Sequence, residues 1–372
     1  MIVYLIPVAA TVLAALYYDW TGRKRGRDIV WYLLFVYLVL LVGLRYKVGG
    51  DTLNYMDYYA WAPDLSGWKF IDAKNPYEPF FTLLVSAARS VSGEFYVFQL
   101  LHALILNACI FYYIAHNTKY RFSALFFCFL IYYIYFSTEV LRESLAVFVF
   151  VLNYRNYRDC RWGRYYFGAT VACLFHISAV FLFLLPFVRW LRLDWKFGVL
   201  AVLCVAGLFY MQSIFAMLED LGRIGNKVSS YEDVHFVGYL WTGLRFLQYT
   251  FIPLAILVFG KYVLRTEVHY EPLYCVMALL GIGVLFSPVV FSRFTNYIYP
   301  LYALSLADVL CTGLGRAASA VRRLAALALG AVVFVVYGSY YVHLDFYLRW
   351  VPYSSVLVPV DYSTREQFRN GG

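Results

Sequence analysis

Apolar runs of near-bilayer length, separated by short polar breaks, make up most of this chain. They lie near residues 2–18, 29–44, 96–115, 122–138, 140–154, 165–187, 197–217, 238–260, 272–291, 296–312 and 324–342. A helix needs about 20 apolar residues to cross a bilayer, so these runs read as spans. Residues 79–91 form a shorter run, which can be a span, a re-entrant piece or an interfacial helix. The pattern predicts an all-α polytopic integral membrane protein with 10–12 transmembrane helices. Its long polar stretches are 45–78, 218–237 and 344–372. The expected organisation is a single transmembrane domain over 1–344, with loops 45–78 and 218–237 contributing to a cavity, and a short external tail over 345–372. No internal repeat or low-complexity tract appears.

Composition narrows the class further. The 372 residues are 63% hydrophobic and 14% charged, and mean hydropathy is +0.65. Soluble domains carry about 25% charged residues, so a soluble enzyme of this length lacks the charges to cover its surface. Disorder is excluded by the same apolar excess. The net charge of +9 is read as cytoplasmic loop charge, not as a nucleic-acid signal. Tyrosine is abundant, 37 residues against 9 Trp. Its amphipathic ring suits both membrane interfaces and sugar clefts. The seven cysteines lack C-x-x-C or zinc spacing and read as small buried hydrophobes.

Orientation follows the Lys/Arg bias. The basic cluster after residues 2–18 marks that run as a first span, since in a signal peptide it would precede. Placing Arg23–Arg27, Arg155–Arg164 and Arg316–Arg323 in the cytoplasm puts the N-terminus, loop 45–78, residues 292–295 and the tail outside. One conflict follows. Arg189–Lys196 is basic too, yet a single span at 165–187 would put it outside. Either the segment bends back or the loop breaks the charge rule.

Polar groups at membrane depth are costly unless used or paired. Arg45 precedes Gly49-Gly50-Asp51 and Tyr55. A fixed Arg beside a turn with exposed N–H groups would clamp a pyrophosphate; the alternative is a snorkelling side chain over a solvated loop. Glu78 opens an apolar helix next to Pro79, as a functional acid or as helix-start chemistry. Glu139 and Arg142 are i,i+3 and Glu139 and Glu143 are i,i+4, so all three are expected on one helix face, either as an internal salt bridge or as a cleft. His176 sits inside an apolar run, as a ligand-facing group or as a hydrogen-bonded core residue. Arg142 and His176 lie about 16–20 Å above the same cytoplasmic loop at 1.5 Å per residue, hence at similar height on adjacent helices. Arg293, followed by Tyr297, falls at an outer helix end. Arg45, Asp51, Glu78, Glu139, Arg142, His176 and Arg293 all fall near the outer leaflet in this topology. Scattered snorkelling would populate both sides. The expectation is a cationic, Tyr-rich cavity suited to a diphosphate headgroup and a sugar.

These same residues carry a resemblance. Arg45-Tyr46-Lys47-Val48-Gly49-Gly50-Asp51 with Tyr55, then Tyr77-Glu78-Pro79-Phe80-Phe81, Arg142-Glu143-Ser144-Leu145-Ala146, Phe175-His176-Ile177-Ser178-Ala179, and Arg293 with Tyr297 resemble, in order, the signals of the EpsG-like family of Wzy-type polysaccharide polymerases. Pro352-Tyr353 fits a later one. The resemblance implies a GT-C-like polymerase or ligase architecture in a bacterial inner membrane, with the active face outward. It implies polyprenyl-diphosphate-linked oligosaccharides as substrates, as in O-antigen, capsule or exopolysaccharide synthesis, and a chain-length regulator protein as partner. The growing glycan would move from its polyprenyl diphosphate to a hydroxyl of an incoming repeat unit. Arg142 and Arg293, with Arg45, would hold the leaving diphosphate, with Glu139, Tyr55 and Tyr297 lining the substrate site. His176, Glu78 and Asp51 stand level as the base. No D-x-D occurs, and an Arg set can replace a metal's charge, so no metal or other cofactor and no nucleic-acid partner are expected. A ligase or single-sugar transferase fits the same cavity. A lipid flippase is the alternative of another class, but it should show two related halves and charge reaching both faces.

Overall fold

The computed structural model describes residues 2–72, 75–208, 210, 239–266, 268, 270–285, 288–315 and 318–371. Loop 218–237, expected to contribute to the cavity, lies outside the described residues. The described residues are helical, with no strand among them. In chain order the helices are α1 (Ile2–Asp19), α2 (Arg27–Gly43), α3 (Thr52–Trp61), α4 (Pro79–Val91), α5 (Phe95–Asn117), α6 (Arg121–Thr138), α7 (Leu141–Arg158), α8 (Trp162–Phe175), α9 (Trp195–Leu208), α10 (Gly243–Val263), α11 (Glu271–Val284), α12 (Pro288–Asn296), α13 (Tyr299–Gly313), α14 (Ala320–Val342) and α15 (Leu344–Trp350). This is an all-α polytopic membrane protein. Among the described residues, five helices, α1, α5, α6, α10 and α14, are by themselves long and apolar enough to cross a bilayer. α1 and α14 leave most of their apolar surface exposed, as lipid-facing spans do because lipid tails replace a protein partner.

The chain forms two compact units, residues 1–183 with 339–372, and residues 184–338. In the first, α3, α4, α5 and α7 meet in an aromatic core built on Tyr55, Tyr58, Tyr59, Phe81, Phe95, Phe98, Leu141 and Leu145. Tyr77 meets Tyr58 edge-on at 4.6 Å between ring centroids and Phe81 at 5.7 Å. Edge-to-face pairs of this kind each add about 0.5–1.5 kcal/mol beyond burial. α4 begins with Pro79 in its first turn, where a missing N–H costs nothing. Its 13 residues rise only about 20 Å, short of a crossing.

Three local expectations change. The stretch 45–78, expected as an external loop, contains a helix, α3, whose Tyr55, Tyr58 and Tyr59 belong to the aromatic core. The helix carrying Arg142 starts later than the charge spacing implied. α6 ends at Thr138, and Leu141 N–H bonds back to Glu139 O at 3.0 Å across Val140 (φ −88°, ψ 57°), an inverse γ-turn. Glu139 and Arg142 therefore do not share a helix face. The run 165–187 is not one span either. α8 stops at Phe175, His176 is extended (φ −158°), and Ile177–Leu184 forms a 3₁₀ segment. That segment returns alongside α8: the Tyr165 hydroxyl donates to Leu182 O at 2.6 Å, and Tyr166 stacks on Phe183 at 5.6 Å. The chain thus leaves the first unit at the end where α8 begins, and the basic stretch that follows needs no exception to the charge rule.

In the second unit, α11, α12 and α13 replace the expected spans 272–291 and 296–312. Glu271 at the head of α11 accepts from Lys261 Nζ at 2.8 Å and from Leu193 N–H at 2.9 Å, anchoring the turns that enter α9 and α11.

Candidate functional site

A carboxylate brings three segments of the first unit together. Glu78 is the N-cap of α4, yet its side chain makes no capping bond. A capping hydrogen bond therefore does not account for it. One carboxylate oxygen meets Arg142 Nη1 at 2.6 Å, and the other accepts the Ile177 N–H at 3.1 Å. Arg142 is the second residue of α7, and Ile177 opens the returning 3₁₀ segment. The equal height expected for Arg142 and His176 is thus realised through Glu78. The pair is shielded without being sealed, with side chains 21% and 15% exposed for Arg142 and Glu78.

Aromatic rings fix the guanidinium. Its Cζ lies 4.4 Å from the centre of the Tyr77 ring, a cation–π contact worth about 0.5–2 kcal/mol. The Tyr55 hydroxyl oxygen accepts a hydrogen bond from Arg142. Burial pushes that hydroxyl up to about 12, so it stays protonated at neutral pH. Tyr55 is buried and holds Arg142 instead of presenting a face to a sugar. On the far side of the γ-turn, His102 donates Nε2–H to Leu141 O at 3.0 Å, with Ser144 Oγ at 3.3 Å. His102 carried no signal in the sequence because its run, 96–115, looks like any other span.

His176 is more specific than its sequence context showed. Its Nδ1 accepts the Ser178 N–H at 3.2 Å and lies 2.7 Å from Ser178 Oγ. A ring that accepts at Nδ1 carries its neutral-form proton on Nε2. His176 is therefore set up to donate from Nε2. Asp51 sits where its charge acts on Tyr55, Tyr77, Glu139 and Arg349, on the edge of the cluster.

Arg45 does something different. Its guanidinium is 1% exposed and turns onto its own backbone, Nε to Val48 O at 3.0 Å and Nη1 to Val42 O at 2.7 Å. The Gly49 and Gly50 N–H groups are spent internally, on Arg349 O at 3.0 Å and on the Glu139 carboxylate. The pyrophosphate clamp expected from Arg45 and Gly49-Gly50 is therefore not formed. The glycines serve close packing: a Cβ on Gly49 (φ +111°) would fall 2.3 Å from Thr138 O. Glu139, expected beside Arg142, instead pairs with Arg349 Nη1 at 2.8 Å. Arg349 carried no signal in the sequence, standing in a tail that reads as solvated.

Arg293 and Tyr297 belong to the second unit. Arg293 lies on α12 and is partly buried, and Tyr297 follows the helix with its ring fully buried, so no face of Tyr297 is open for a sugar to stack on. Among the described residues, no group of three or more His, Cys, Asp or Glu side chains is placed to hold a metal ion. The first-unit cluster can nonetheless bind an anion through Arg142, donate from His176 and accept a proton at Glu78.

A family model described as the EpsG family matches residues 28–355. No curated protein and no solved structure matches the chain.

Proposed function

The chain belongs to the EpsG family, and on that premise we propose that it is a polysaccharide polymerase of the bacterial inner membrane. In this reading it joins polyprenyl-diphosphate-linked oligosaccharide repeat units at the outer face. The observation that carries it is the Glu78 carboxylate shared between Arg142 and the backbone beside His176. Arg142 is the group a diphosphate would take, because a guanidinium offers paired donors to phosphate oxygens.

The reaction proceeds as a glycosyl transfer. The acceptor hydroxyl oxygen attacks the anomeric carbon of the donor glycan. The bond from that carbon to the diphosphate oxygen breaks, and its electron pair leaves with the diphosphate. Arg142 stabilises the charge developing there, and His176 donates from Nε2 to the same oxygens or to the sugar. Glu78 takes the acceptor proton. It is the best placed of the three expected bases, since a diphosphate on Arg142 competes directly with Glu78 and releases the carboxylate to accept. His176 has its Nδ1 lone pair engaged, and Asp51 stands at the cluster's edge.

The test uses purified protein in nanodiscs with a synthetic polyprenyl-diphosphate repeat unit. The expected result is a ladder of longer lipid-linked glycans with release of polyprenyl diphosphate, lost in Arg142→Gln. Transfer of one unit only would make the protein a ligase or single-sugar transferase. Movement of the intact lipid between leaflets, with no new bond, would make it a flippase.

A further inference from the structure

We infer that Arg349, in the C-terminal tail, is a positioning residue for Arg142, acting through Glu139 and the turn at Gly49-Gly50. The inference rests on the diphosphate reading of Arg142 given above.

The tail is built into the first unit by more than one contact. Tyr46 N–H bonds Ser354 O at 2.8 Å, and Val356 N–H bonds Leu44 O at 2.9 Å. Arg365 donates to Tyr46 O at 3.1 Å and also to Pro352 O. Lys47 meets Asp361 at 2.6 Å. Arg349 stands at the centre of this strap and grips two segments at once. Its backbone carbonyl accepts the Gly49 N–H, and its guanidinium takes the Glu139 carboxylate. Phe368 closes over it, 5.0 Å from the guanidinium carbon to the ring centre.

Glu139 is where this grip reaches the site. Its side chain is 3% exposed, so an unpaired charge there is strongly disfavoured and the carboxylate follows its partner. Glu139 O closes the γ-turn onto Leu141 N–H, and Arg142 is the next residue. The turn has no freedom on its other side, because Gly49 packs against Thr138 O closely enough to exclude a Cβ, and a Cβ on Gly50 would fall 3.0 Å from Glu139 Oε2. The place where α7 starts, and so the direction of Arg142, is set by what holds Glu139. A tail whose only role was to cover the loop would need neither a partner for a buried carboxylate nor a carbonyl bond on the same residue.

Two measurements in full-length protein in nanodiscs separate positioning from general support. The first needs no ligand: amide hydrogen exchange in Arg349→Gln and in the charge-neutral pair Glu139→Gln/Arg349→Gln. Exchange is expected to rise in 45–50 and 138–146 and to stay unchanged in 95–117. The second titrates farnesyl diphosphate as a short diphosphate probe. Affinity is expected to fall about tenfold in both variants, to recover largely in Arg349→Lys, and to show no further fall when Arg349→Gln is added to Arg142→Gln. Unchanged exchange at 138–146, or equal losses with and without Arg142, would overturn the inference. Wild-type protein that ignores the probe would overturn the diphosphate reading, while the exchange result would still decide whether Arg349 sets the start of α7.

Discussion

Two charged networks flank the γ-turn at Val140, and they divide by how deeply the carboxylate is buried. On one side, Arg45 and Glu139 are buried, at 1% and 3% exposure, Arg45 spending its hydrogen bonds on backbone carbonyls and Glu139 pairing with an Arg349 that reaches the surface. On the other, Glu78 and Arg142 pair at 2.6 Å yet stay partly open, beside a His176 whose Nδ1 is held as an acceptor. The same residue types thus do two jobs within a few residues of one another. Taking the partner from a buried carboxylate strands a charge, so it acts on folding. An open pair can exchange a protein carboxylate for a substrate anion, so it acts on binding and chemistry.

The contrast is broken most forcefully at Arg45. Arg45→Met takes the side-chain donor from Val42 O and leaves Val48 O to the Thr52 hydroxyl, at about 1–3 kcal/mol for the lost hydrogen bonding plus the loss of the buried guanidinium's packing. Thermal unfolding in detergent should show the largest fall of any single change discussed here, with farnesyl diphosphate affinity retained in the protein that stays folded. Loss of affinity without loss of stability would return Arg45 to the site. Gly49→Ala should cost less, about 1–3 kcal/mol, because a β-carbon must enter the space of Thr138 O at a positive φ. Its effect should appear as a lower unfolding temperature and as faster proteolysis of the tail.

The smallest effect is a pH dependence. Lys47 holds the Asp361 carboxyl below the usual carboxylate range. A depressed acid contributes stability above its unfolded value, about 3.9, and loses it as pH falls through the folded value. Tail protection against protease should therefore hold from neutral pH to about 4 and weaken only below that. Weakening between pH 6 and 5 would point to a different group.

The helical class and most spans were legible because apolar length is a strong signal: 95–117, 121–138 and 320–342 lie where the runs put them. The shared height of Arg142 and His176 was legible too, since both count from one loop. What stayed hidden depended on chain breaks. Glu139 and Arg142 look like one face until the γ-turn separates them. Residues 165–187 look like one span until His176 ends α8, and only the returning Leu182 and Phe183 reveal the hairpin. Arg45 and Gly49-Gly50 match an anion clamp in sequence, because nothing local says that their donors are already taken. Arg349 could not be found from its own segment, as its partners lie more than two hundred positions away in the chain.

The most direct test compares farnesyl diphosphate affinity with polymer formation in Glu78→Gln and Arg142→Gln. With Arg142 as the diphosphate group and Glu78 its resident competitor and base, Arg142→Gln should lose both binding and polymer, the latter about 100-fold or more. Glu78→Gln should bind the diphosphate at least as tightly as wild type while forming no ladder. Parallel loss of affinity in both variants would contradict this, leaving Glu78 as a structural partner of Arg142 and the chemistry to other groups.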